Sequence, residues 1–217
     1  MKQSLWIVLL VSIVAFSGCK LHHGIAGSGN RKTEKRELKS FNAIDTTGGY
    51  EINITCQKPA TFEIEADDNL LPLIKTEVRD GILFVTDAQD YHSAKLPALR
   101  IILPELNSFS SSGASQVKIA DANSNNLKIE STGADSIEAA GKAKSVVISS
   151  TGAGSIDTSK LTAEKATVDI SGAASVGVYA SDQLDVTVSG VGSVSYSGNP
   201  KVVNKNISGI GSVNPKN

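Results

Sequence analysis

Glu130 and Asp169 stand three residues before two of a set of recurring glycines. A pair of carboxylates flanking one bond is what glycoside hydrolysis requires. If the glycines mark stacked β-coils, Ser149 falls between the two acids and they lie two rungs apart, about 9.6 Å between backbones. Inverting glycosidases use separations of about 6.5–9.5 Å, so the spacing sits at the upper edge of that range. The same acids also suit a solvated face, and the two readings differ in whether acids and bases meet in a cleft. His92 is the one histidine after residue 40; it follows Tyr91 in an apparent loop, and any Ser-His-Asp or Cys-His site would have to use it. No Gly-x-Ser-x-Gly elbow accompanies it. Gly133-Ala134-Asp135 and Gly152-Ala153-Gly154-Ser155-Ile156-Asp157 are faintly similar to acidic calcium-binding repeats. The position of Asp135, however, is Ser115, Gly154, Ala174, Gly192 or Gly211 elsewhere, which leaves no regular ladder of ligands. Gly190-Val191-Gly192 precedes no helix and so lacks the setting of a phosphate loop. These residues assign no catalytic group, no cofactor and no metal, and they leave the binding residues open.

The elements that must position any site are written as a repeat. Six segments share one pattern: Ser112-Gly113-Ala114, Thr132-Gly133-Ala134, Thr151-Gly152-Ala153, Ser171-Gly172-Ala173, Ser189-Gly190-Val191 and Ser208-Gly209-Ile210. Their glycines are 20, 19, 20, 18 and 19 residues apart. Four residues after each glycine stand Val117, Ile137, Ile156, Val176, Val194 and Val213; four before stand Phe109, Ile129, Ile148, Val168, Val186 and Lys205. Alternating β-branched stretches such as Leu184-Asp185-Val186-Thr187-Val188 read as strands. A period near 19 predicts an all-β fold, a parallel β-helix or β-solenoid, with identical columns stacked about 4.8 Å apart. Glycine at a fixed corner is expected because it accepts positive φ. Lys205 in the last core column, with Pro215 beyond it, discourages further strand addition.

Residues 40–110 have a different texture, with six aromatics from Phe41 to Phe109. Arg79-Asp80-Gly81 between two apolar runs predicts a hairpin turn. This part reads as more irregular β structure that is continuous with the coils and closes their N-terminal end. Cys56 shares a strand face with Tyr50, Ile52 and Ile54, so it is expected to be a buried small hydrophobe rather than a reactive thiol. Tyr179 and Tyr196 are the only aromatics within the coils, which weakens sugar stacking there and favours the N-terminal part for any carbohydrate platform.

The first residues give the compartment. Lys2 is followed by a twelve-residue apolar run from Leu5 to Phe16, about 18 Å of helix and too short for a ~30 Å hydrocarbon core. Residues 1–18 therefore read as a secretory signal. Phe16-Ser17-Gly18-Cys19 resembles a bacterial lipobox, which implies cleavage before Cys19 and lipidation of its thiol. Residues 19–39 then read as a lipidated cysteine and a flexible tether, with a net charge of +4 over residues 20–39. His22 and His23 in that tether lack the further ligands a metal site needs.

The whole chain of 217 residues has 21 Lys+Arg against 22 Asp+Glu. From Ser40 to Asn217 there are 14 basic and 20 acidic residues, a balance that repels phosphates and excludes nucleic acid as a partner. Phe41-Asn42-Ala43-Ile44, Gly48-Gly49-Tyr50-Glu51-Ile52-Asn53-Ile54 and the serine-glycine-alanine coils together resemble the GIN-domain family (DUF2807), also described as an auto-transporter adhesin head domain. The resemblance spans about residues 40–213 and treats residues 40–217 as one domain. It implies a β-helical domain on a lipoprotein of the cell envelope of Bacteroidetes, and it carries no catalytic residues. The expected function is a non-catalytic adhesin-like or binding module, anchored to the bilayer, in the outer membrane, through acylated Cys19. Its ligand, glycan or protein, stays open. So do its binding face, leaflet orientation and oligomeric state. The alternatives are a carbohydrate-active β-helix enzyme or a self-associating structural module. Asp45-Thr46-Thr47 and Asp135-Ser136-Ile137 resemble O-glycosylation sequons of Bacteroidetes.

Overall fold

The structure is a computed structural model that describes residues 24–216. The signal segment, Cys19, His22 and His23 lie outside the described residues. Strands dominate from Ile25 to Pro215, and the one helical element among the described residues is a single 3-10 turn at Leu71–Leu73. Three long strands, Gln116–Ser131, Ser136–Ser150 and Ala153–Ile170, each bend around a corner and serve two faces of the solenoid. They stack in parallel, and the later coils continue the register in shorter strands.

The inner columns are those the repeat dictates. Val117, Ile137, Ile156, Val176, Val194 and Val213 are register partners in turn. So are Phe109, Ile129, Ile148, Val168, Val186 and Lys205. Apart from Lys205, all of these are buried, each contributing about 1.5–3 kcal/mol relative to exposure. Lys205 closes the stack: its Nζ donates to the Val213 carbonyl at 2.7 Å and sits 5.4 Å from the Tyr196 ring centroid. The ammonium thus finds partners at the last rung, where an aliphatic side chain would have no rung above it.

The motif glycines have a different cause from the one expected. None of Gly113, Gly133, Gly152, Gly172, Gly190 and Gly209 has a positive φ. Each instead stacks directly on its predecessor: a Cβ on Gly133 would collide with the Gly113 carbonyl oxygen, and one on Gly152 with that of Gly133. Those carbonyls accept from the next coil, Ala134 N to Gly113 O at 2.8 Å and Ala153 N to Gly133 O at 2.9 Å. Backbone sits on backbone at this corner, and a side chain has no place between them.

Below the repeats lie two further rungs whose order in space is not their order in sequence. On one face Ile82–Asp87 pairs with Ala43–Thr47, which pairs with Ser108–Ser111. On the other, Ala98–Ile102 pairs with Glu51–Thr55, which pairs with Gln116–Ser131. The chain therefore builds the second rung first, descends to make the lowest one, and climbs past both. Antiparallel strands seal the bottom, Ile74–Arg79 on one face and Thr61–Asp67 on the other. Asp80 and Gly81 both have positive φ, 50° and 76°, which gives the expected hairpin the primed turn that matches strand twist.

The expected tether is corrected over its described part. Arg31–Lys35 is a strand, antiparallel to Thr61–Asp67. Arg31 pairs with Glu65 at 3.4 Å and donates to the Leu96 carbonyl, while Arg36 donates to the Leu71 and Ile74 carbonyls. The two arginines of the run that read as solvated are thus bound to open backbone acceptors and carboxylates, while Lys32 and Lys35 stay exposed. Arg100 and Arg31 hold the Glu65 carboxyl below its ordinary range through these hydrogen bonds.

Candidate binding cleft

Glu130 and Asp169 do occupy one column, separated by Ser149. They stand on the outer face, where Asp169 is exposed and Glu130 pairs with Lys128 at 2.8 Å. His92 is on a two-residue strand rather than a loop, paired in parallel with Ile25–Ala26. Near it Asp87 accepts from Tyr50 Oη at 2.6 Å and Tyr91 Oη at 3.2 Å. Burial pushes the carboxyl and both phenols up from their ordinary values. Cys56 is a buried free thiol, raised to about 11 by burial and then by the Asp121 carboxylate. At pH 8 about one thiol in a thousand is then ionised. Iodoacetamide at pH 8 is expected to leave Cys56 unlabelled until denaturant is added, scored by peptide mass spectrometry; labelling of the native protein would contradict the burial.

Asp135 points inward. It is 2% exposed and accepts from Ser111 Oγ at 2.8 Å, Ser131 Oγ at 2.6 Å and Ser115 N at 3.0 Å. Its column neighbours gave no hint of this, since the two hydroxyls it binds lie in a second inner column, Thr46, Ser111, Ser131 and Ser150, which becomes Ile170 and Val188 further up. Asp135→Ala strands three buried donors and is expected to cost about 3 kcal/mol or more in urea denaturation. Asp135→Asn, which keeps one acceptor oxygen, is expected to cost less. Of the two sequons, Thr46 is fully buried and donates to the Ser110 carbonyl, whereas Ser136 is exposed.

A cavity of about 550 Å³ opens on the lateral corner opposite the glycines. Register builds it. Asn123, Lys142 and Thr162 stack as one wall; Ser124, Ala143 and Ala163 stack as the floor. The next positions, Asn125, Lys144 and Glu164, form the other wall, and Glu105 closes the lower end. Gly141, with φ +136, turns the chain into Lys142 directly over Ala122. The upper end arises from a length change. From Val117 to Leu127 the corner takes ten positions, from Ile156 to Ala166 ten, but from Val176 to Leu184 only eight. The short coil pulls Tyr179 and Ser181 in as an end wall. Tyr179 packs on Gly198, where a Cβ would meet its Cζ at 2.8 Å.

The cleft therefore carries two ammonium groups, two carboxylates, amides, hydroxyls and one aromatic ring on a rigid frame. None of these residues stood out in the sequence as a site. Ser124 Oγ is closed to solvent, in register with the core residues Ala143 and Ala163, and has no hydrogen-bond partner among the described residues, so it offers the cleft no nucleophile.

A family model described as "Putative auto-transporter adhesin, head GIN domain" (DUF2807) matches residues 40–200. The chain belongs to the GIN-domain family. Solved structures share the fold of this GIN domain. One is a "putative adhesin" from Bacteroides fragilis, 24% identical with a TM-score of 0.71 over 89% of this chain and 100% of that one. Another is a "putative adhesin" from Parabacteroides merdae, 18% identical at 0.60 over 89% and 99%. A third is a "putative lipid binding protein" from Parabacteroides distasonis, 21% identical at 0.54 over 89% and 99%. A comparison with curated proteins returned no match. Every residue of the cleft falls inside the matched part of the GIN domain, while the last coil, Val202–Ile207 and Ile210–Pro215, continues the same register beyond it.

Proposed function

We propose that this GIN-domain protein is a non-catalytic binding module of the cell envelope, held to the outer membrane by a lipid on Cys19 and presenting its lateral cleft to a ligand. The observation that carries this reading is the cleft itself: a polar trough of about 550 Å³, walled by side chains of stacked coils and ended by Tyr179. The family's adhesin-type description supports it.

The structured segment after Cys19 bears on the anchoring. Ile25 N bonds to Asp90 O at the capped end, and Gly24, the first described residue, stands five residues after Cys19. Five residues reach at most about 17 Å. A lipid on Cys19 would hold the capped end close to the bilayer and turn the open last rung outward.

The test is made in the native host. Alkyne-palmitate labelling of the protein is expected to be lost in Cys19→Ser, with the protein moving from the membrane to the soluble fraction. Unlabelled wild type would refute the anchor, and turnover of glycans by purified protein would refute the non-catalytic reading. The open rung favours a second reading, self-association: Ile207 is 42% and Ile210 76% exposed there. Mass that rises with concentration in sedimentation would support it.

A further inference from the structure

We propose that the lateral cleft binds a short, uncharged oligosaccharide, with one sugar ring against Tyr179; this rests on the reading of the protein as a binding module. The trough is open to solvent, and its volume of about 550 Å³ gives room for a small organic ligand to lie along it. Its charges cancel, Lys142 and Lys144 against Glu105 and Glu164, so it has no net field with which to gather an anion or a cation. What it offers instead is many donors and many acceptors side by side. Sugar hydroxyls, which each donate and accept, are the ligand groups that use both. A peptide strand would need an open sheet edge, and here the ladder runs unbroken across the floor from Ser124 through Ala143 to Ala163.

One further feature points to a ligand. Tyr179 is partly buried and held on Gly198, which fixes an apolar ring at the end of an otherwise polar trough. The pyranose C–H face packs on such a ring while its hydroxyls reach the walls.

The experiment uses the full chain in detergent micelles. A glycan array identifies neutral oligosaccharide probes, which are then titrated calorimetrically as free sugars. Tyr179→Ala is expected to weaken binding about tenfold and Asn123→Ala, on the exposed wall, about fivefold. Tyr179→Phe should retain affinity within a few fold, and so should Asp169→Ala on the outer face. Raising salt to 0.5 M should change little. If Tyr179→Ala melts before titration, Lys144→Ala, on the exposed wall, replaces it with an expected loss of about fivefold.

Absence of any neutral glycan bound by wild type would overturn the proposal. So would binding confined to acidic glycans and abolished by salt. Glycan binding that the cleft variants leave unchanged would overturn the site but spare the binding-module reading. Cleavage of the bound sugar would sink that reading while leaving the cleft as the sugar site.

Discussion

Gly133→Ala is expected to destabilise the protein by about 3 kcal/mol or more, the upper range for forcing atoms into a packed site. One added methyl group is enough because its position is already taken by the Gly113 carbonyl oxygen, with Gly152 stacked in the same way on Gly133 itself. The collision is with backbone, so no rotamer change relieves it. Relief would require the coils to separate, which breaks the Ala134 N to Gly113 O bond at 2.8 Å. For a domain of this size the cost corresponds to a fall of roughly 6–12 °C in melting temperature. Gly49→Ala is the matched comparison. A Cβ there meets Ala114 O at 3.4 Å and Leu96 Cδ2 at 3.5 Å, ordinary contact. It should be neutral or stabilising by up to about 1 kcal/mol, since alanine has less unfolded-state freedom. Equal melting of the two variants would refute the stacking account.

Ile148→Asp should have the larger effect and prevent the middle coils from forming. Ile148 is fully buried, with Ile129 on the rung below and Val168 on the rung above. The carboxylate would lose water and find only aliphatic neighbours in its column. An uncompensated buried charge costs about 3–5 kcal/mol, and the lost apolar burial adds to that. This approaches the whole stability of a typical domain. Because each coil contacts mainly its neighbours, the damage propagates to the rungs on both sides. Far-UV circular dichroism and a thermal melt read the outcome. Ser149→Asp, one residue on and facing outward beside Glu130 and Asp169, is expected to cost little. A native melt for Ile148→Asp would show the register to be wrong.

The lower end of the molecule shows where sequence reasoning stops. Glu51–Thr55 precedes Ala98–Ile102 in the chain but lies above it in the stack. Alternation in each strand announces a half-buried face, yet nothing in either strand states which rung it occupies. Arg31 and Arg36 pose the same difficulty. Their charge reads as solvated until the cap supplies the carbonyls of Leu96, Leu71 and Ile74. The cleft was hidden for a related reason. Asn123, Lys142 and Thr162 look like unrelated loop polarity, because the corner they share varies from eight to ten positions and slips out of any fixed period.

The sequence by itself determined the fold class, the inner aliphatic columns, the coil register and the hairpin at Asp80-Gly81. These follow from local alternation and from a repeat, both of which act between residues a fixed distance apart along the chain. Only the tertiary structure decided why the motif glycines are glycines, where Asp135 points, how the cap is ordered and that a polar cleft exists. Each of these depends on what the neighbouring rung presents at about 4.8 Å: a carbonyl beneath Gly133, the Ser111 hydroxyl beside Asp135, a shorter coil beside Thr162. Those neighbours lie some twenty residues or more away in the chain, and which atoms meet there is settled by stacking rather than by residue type.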